Sequence, residues 1–97
     1  MGRPAARLHD LGSGHMCYPP HDVIKASENV IINGQGAARD GDELNKHCCL
    51  IDCHDKGTIK ATSSTVLING LKAGRIGDRV TCGGAMMTGS SNVLIGD

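Results

Sequence analysis

Short apolar runs recur along the chain at a fixed period. Val30-Ile31-Ile32, Val66-Leu67-Ile68 and Val93-Leu94-Ile95 each hold three β-favouring residues. Asn33-Gly34 and Asn69-Gly70 close the first two runs with the strongest short hairpin signal, whereas the third ends in Gly96. A second short segment follows each Asn-Gly, over residues 36–39 or 72–76, and Gly41-Asp42 or Gly77-Asp78 then supplies the next turn. No stretch sustains the 3.6-residue period of a helix. Helix is expected at most as a turn or two in a connector, around residues 42–46. The pattern predicts an all-β domain of short strands and dense turns, a single domain over residues 1–97.

The polar positions repeat with the apolar ones. Residues 28–42 (ENVIINGQGAARDGD) return thirty-six residues later as 64–78 (STVLINGLKAGRIGD). Residues 2–10 (GRPAARLHD) carry the back half of the unit and residues 91–97 (SNVLIGD) the front half. Arg7, Arg39 and Arg75 hold one position, and Asp10, Asp42 and Asp78 another. Such repetition marks a shape whose units cannot bury a core singly. The arginines are expected to pair with aspartates or face water. His9 occupies the place of Gly41 and Gly77 and is expected at a turn.

Composition narrows the function. The core must be built without Phe or Trp, and Tyr18 is the only aromatic residue. A chain of 97 residues with so few large side chains calls for a staple such as a metal, disulfides or a partner. Ten Lys and Arg balance ten Asp and Glu, which disfavours nucleic acid and anionic membrane surfaces. The N-terminus lacks the hydrophobic stretch of a signal peptide, and no apolar run approaches membrane-spanning length. The chain is therefore expected to begin in the cytoplasm, where disulfides are rare; five Cys, an odd number, cannot all pair within one chain.

The connectors between units carry every Cys and every His except His9. His15 follows Asp10 by five residues, His47 follows Asp42 by five, and Cys82 follows Asp78 by four. Around a pseudo-threefold axis these three would converge, and the longest connector offers His54 as a fourth ligand. A His₃Cys tetrahedron of His15, His47, His54 and Cys82 suits Zn²⁺ and, having no open position, would be structural. Its binding energy would act as folding energy. His21, Cys48, Cys49 and Cys53 are alternatives for individual positions.

The tetrapeptide Pro4-Ala5-Ala6-Arg7, with Gly36-Ala37-Ala38-Arg39 and Lys72-Ala73-Gly74-Arg75, resembles the signature of PAAR-repeat proteins. The surrounding pattern, V-x-I-N-G, two residues, the tetrapeptide and x-G-D, is similar to that family over essentially the whole chain. The second and third copies depart from it, with Gly36 or Lys72 at the proline and Gly74 at the second alanine. The resemblance implies a small cone-shaped domain with pseudo-threefold symmetry. It implies a non-enzymatic role as the tip of the type VI secretion system spike. There the base caps a trimeric VgrG β-helix, a zinc ion near the apex stiffens the point for membrane puncture, and effectors or adaptors are carried. The chain would be a monomer in isolation, cytoplasmic before firing and then delivered outside or into a target cell. The matching ligands are His15, His47, His54 and Cys82. Apolar surface for the spike is expected from Val30, Ile32, Val66, Ile68, Val93 and Ile95.

Two other classes fit parts of the pattern. A small zinc hydrolase would need an open coordination site and a general base such as Asp52 or Asp55. A zinc-stabilised adaptor would need a different partner.

Overall fold

The computed structural model describes residues 2–14, 20–45, 47–49, 52–54 and 57–96, with backbone only for 47–49 and 52–54. Among the described residues, twelve short strands, none longer than three residues, form six antiparallel pairs. The described residues contain no helix. Where the sequence allows a helical turn around residues 42–46, the described residues 42–45 form none, because Glu43 and Leu44 bridge to Thr58 and Val23 instead.

Three of the pairs are the repeated hairpins. β4 (Ile31–Ile32) pairs with β5 (Gln35–Gly36), and β9 (Leu67–Ile68) with β10 (Leu71–Lys72). Asn33 and Asn69 turn them at φ values of 53° and 54°, followed by Gly34 and Gly70 at 79°. Both central residues thus have the positive φ that a type I′ turn requires. The third hairpin has no covalent turn. β1 (Arg3–Pro4) pairs with β12 (Leu94–Ile95), with Arg3 opposite Ile95 and Pro4 opposite Leu94. The split sequence unit is thus rejoined through space in the register of the other two.

The tetrapeptides form the centre. Ala6 N donates to Gly74 O at 3.0 Å, Ala38 N to Ala6 O at 3.0 Å, and Gly74 N to Ala38 O at 2.8 Å. This closed ring of three bonds lies around the pseudo-threefold axis. A second ring runs outside it, from Leu8 to Gly36, Asp40 to Lys72 and Ile76 to Pro4. Small residues are required because the three backbones approach so closely: a Cβ at Gly74 would stand 3.1 Å from Ala38 O.

Alternation along each tetrapeptide divides the core into two layers. Ala5, Ala37 and Ala73 turn toward the hairpins and pack with Ile68 and Ile95, with Val30, Ile32, Val66 and Val93 at the margin. Ala6 and Ala38 turn the other way, onto Val23, Leu44, Ile59, Ala61, Val80 and Met86. The molecule is elongated, 39 × 26 × 22 Å.

Each arginine–aspartate pair caps a turn between layers. Arg7 and Arg39 fork onto Asp10 and Asp42, with Nε to Oδ2 at 2.9 Å in both and the aspartates buried. These hydrogen bonds raise both guanidinium pKa values. The turn that follows holds His9 at φ 74°, where its repeat mates are Gly41 at 85° and Gly77 at 92°, as its register predicted. The units also begin one residue earlier than the sequence comparison placed them. Ser27, Ser63 and Ser90 are buried, and their hydroxyls accept from the amides of Val30, Val66 and Val93.

The central ring predicts a contrast. Ala38→Leu forces a large side chain into a fully buried position and should cost about 1–3 kcal/mol or more. Gly74→Ala, a residue its two repeat mates already accommodate, should change stability by under about 1 kcal/mol. Denaturant melts of both variants test this; equal losses would mean that the ring does not set the side-chain size.

Candidate metal centre and docking base

Beyond the second core layer, each unit sends out a strand and takes one back. β2 (Leu11–Gly12) returns as β3 (His21–Asp22), with Gly12 opposite His21. Leu44 N donates to Gly57 O, and β8 (Ile59–Lys60) pairs with β11 (Arg79–Val80), whose Val80 N donates to Gly84 O. Val23, Ile59 and Met86 accept from the three turn residues His9, Gly41 and Gly77 and are therefore equivalent. Counting back two residues gives His21, Gly57 and Gly84 as another equivalent set. Two units have no side chain there, and the third has an imidazole.

That imidazole is 5% exposed, and its Nε2 lies 4.0 Å from Cys82 Sγ. Two ligands on one tetrahedral zinc would stand about 3.5 Å apart, so the pair needs only a small adjustment to share an ion. Glycines hold the room open. A Cβ at Gly57 would sit 2.6 Å from Cys82 Sγ, and one at Gly12 would sit 3.6 Å from His21 Nε2 and 2.8 Å from Leu44 Cδ2. Burial pushes the Cys82 thiol pKa up. A cation placed beside it would reverse that preference, since a metal-bound thiol is a thiolate.

β6 (His47–Cys49) and β7 (Asp52–His54) form a further hairpin in which His47 stands directly opposite His54. A facing pair on an antiparallel ladder shares one face, as two ligands of one ion must. His15 lies outside the described residues. Among the described residues no three His, Cys, Asp or Glu groups gather as a complete metal set. The described part of the chain thus brings His21 to Cys82 and His47 to the register position of His54. The forward spacing from each aspartate carries no mark of His21; the returning strands do, because Gly57 and Gly84 hold the equivalent place.

His9 contributes elsewhere. Its Nδ1 contacts Asp22 Oδ2 at 3.0 Å, and this bond is the main reason the Asp22 carboxyl pKa is lowered. The pair is largely exposed, so it adds little to stability.

At the other end, the six apolar residues expected to face a spike lie in or at the margin of the hairpin core. Ile68 and Ile95 are buried, and Val30, Ile32, Val66 and Val93 pack against the same core. The residue between each pair points outward: Ile31 is 56% exposed, Leu67 62% and Leu94 62%. Period-two alternation is the cause, because inward V and I positions leave the middle residue on the opposite face.

A closed threefold of tetrapeptides, carrying hairpins at one end and imidazole and thiol groups at the other, defines an all-β repeat domain. The PAAR motif family model matches residues 1–52 and again 52–97, and the chain belongs to that family. It is 34% identical over 79 residues to the NAD(P)(+) glycohydrolase toxin Tse6 of Pseudomonas aeruginosa strain PAO1. It is equally similar to the (p)ppApp synthetase toxin Tas1 of strain UCBPP-PA14. Each alignment covers 76% of this chain but only 18% of the relative.

The site predicts that Cys82→Ser lowers bound metal and melting temperature together. Gly57→Ala, which removes no donor, should do the same by displacing the sulfur. His9→Ala should leave metal content unchanged and cost far less stability. Elemental analysis and thermal melts decide it; equal losses for Cys82→Ser and His9→Ala would count against the metal centre.

Proposed function

We propose that this chain is the non-enzymatic tip of a type VI secretion spike, seated on the blunt end of a trimeric VgrG-type β-helix. The observation that carries the reading is the threefold ring of tetrapeptides with Ile31, Leu67 and Leu94 exposed at equivalent positions. A single chain with three near-equal faces matches a true threefold partner without needing three copies. Membership in the PAAR motif family supports the same assignment. The enzymatic activities named for the two toxin relatives belong to proteins of which this chain spans 18%, and they are not assigned to it.

A structural Zn²⁺ stiffens the end away from the spike. His47, His54 and Cys82 are proposed as ligands, with His15 as the fourth from the outgoing registry or His21 from the contact with Cys82. The 4.0 Å approach of His21 to the sulfur favours His21. The ion supplies binding energy that acts as folding energy and performs no turnover. Acid should release it, because protons compete for imidazole and thiolate.

On this reading the chain is a monomer in isolation. It resides in the cytoplasm until firing, and the spike carries it, with any attached effector or adaptor, to the target membrane.

Mixing the zinc-loaded chain with its cognate trimer should give one copy per trimer by complex mass. Leu67→Asp and Leu94→Asp should each weaken capping by about tenfold or more, roughly 1.4 kcal/mol, while the fold is retained because both side chains face water. Val66→Asp, which charges a core margin, should instead lower the melting temperature. Failure of the wild-type chain to bind, or three copies per trimer, would refute the tip assignment.

A further inference from the structure

The hairpin of β6 and β7 places Cys48 directly opposite Cys53, between the His47–His54 pair and the Cys49–Asp52 pair. Facing residues on an antiparallel ladder have Cα atoms about 4.5 or 5.5 Å apart, depending on which kind of pair they form. Both values lie inside the roughly 4.4–6.8 Å that a disulfide spans. Alternation puts the Cys48–Cys53 pair on the opposite face of the hairpin from His47 and His54. Cys49 faces an aspartate, and Cys82 stands beside His21.

We propose that Cys48 and Cys53 form a cross-strand disulfide when the protein meets a disulfide oxidant such as oxidised glutathione. One cysteine thiolate attacks the glutathione disulfide, giving a mixed disulfide and one glutathione thiolate. The second cysteine thiolate then attacks the protein sulfur of that mixed disulfide and displaces the second glutathione. Two protons pass from the cysteines to the two glutathione thiols, and two electrons go with them. The register brings the partners together beforehand, so ring closure needs no new backbone arrangement. The bond would tie β6 to β7 and hold His47 and His54 facing each other. Its setting, a passage from a reducing to an oxidising compartment, rests on the proposed delivery; the chemistry does not.

Zinc-loaded protein incubated with oxidised glutathione, then denatured and alkylated, tests the pair by intact mass. Alkylation of only three of the five cysteines is expected. Trypsin cleavage after Lys46 and Lys56 isolates residues 47–56, and this peptide should carry the bond. Cys49→Ser should keep the bond, whereas Cys48→Ser and Cys53→Ser should lose it, with zinc content showing that each variant is folded. Alkylation of all five cysteines overturns the proposal, as does a bond that needs Cys49, Cys17 or Cys82. Protection of Cys48 and Cys53 by added zinc would also overturn it, by making them ligands. A chain that forms the bond yet caps no trimer leaves the disulfide standing and removes only the delivery reading.

Discussion

Three peptide hydrogen bonds around one axis constrain everything else in this molecule. Ala6, Ala38 and Gly74 donate and accept in a closed cycle of about 3 Å contacts. A cycle this tight admits nothing larger than a methyl group at its members. It also fixes the neighbours: Ala5, Ala37 and Ala73 must face the hairpins, since adjacent residues of an extended segment face opposite ways. One short ring thus creates two cores, a hairpin base and a connector end, from a chain with few large side chains. Each buried donor in the ring would cost about 1–3 kcal/mol if left unmatched. Three units must therefore be present together, which explains why a split third unit is reassembled from the two ends.

The reassembled unit shows what the missing turn changes. In the other two units the turn asparagine, Asn33 or Asn69, accepts from the guanidinium of Arg7 or Arg39. The third unit has Gly96 there, with no side-chain oxygen. Arg75 is drawn to the backbone instead, with Nη1 on Gly96 O at 2.8 Å and Nη2 on Thr62 Oγ1 at 3.0 Å. Its Nε is buried and has no partner among the described residues, whereas Nε of Arg7 and Arg39 binds the paired aspartate. Asp78 is left to the Arg75 amide, Thr62 and a longer 3.5 Å contact with Arg3. The buried charge thus holds Gly96, which stands where the other two units have a turn asparagine. This substitution keeps the threefold backbone while breaking the threefold side-chain pattern.

Much of the fold was legible because the sequence states it repeatedly. The Asn-Gly turns, the apolar runs and the glycine-like place of His9 all appear in the residues and recur in the structure. What escaped were features with no compositional mark. Ser27, Ser63 and Ser90 look like ordinary loop serines, yet each buried hydroxyl caps a hairpin. The outward members of the apolar runs, Ile31, Leu67 and Leu94, were hidden because a run of three apolar residues does not show which of its faces is buried. The approach of His21 to Cys82 has no mark in the outgoing registry, because a forward count from each aspartate measures the outgoing strands. The ladder fixes position from both sides, and on the returning side Gly57 clears the space beside Cys82.

The two ends of the molecule meet different physical demands through the same repeat. At the base, symmetry is retained and the side chains are nearly interchangeable, so three similar apolar contacts can act together without a unique register. At the other end, symmetry is broken deliberately: equivalent positions carry His21, Gly57 and Gly84. A metal centre needs such inequality, because four converging ligands cannot come from three identical short returns. On the proposed reading the longest connector would supply the extra donors, and Gly57, whose Cβ would stand 2.6 Å from Cys82 Sγ, leaves room beside the sulfur. The described His21–Cys82 approach lies at that unequal end, and on the proposed reading an ion bound there would add rigidity through coordination, its binding energy acting as folding energy.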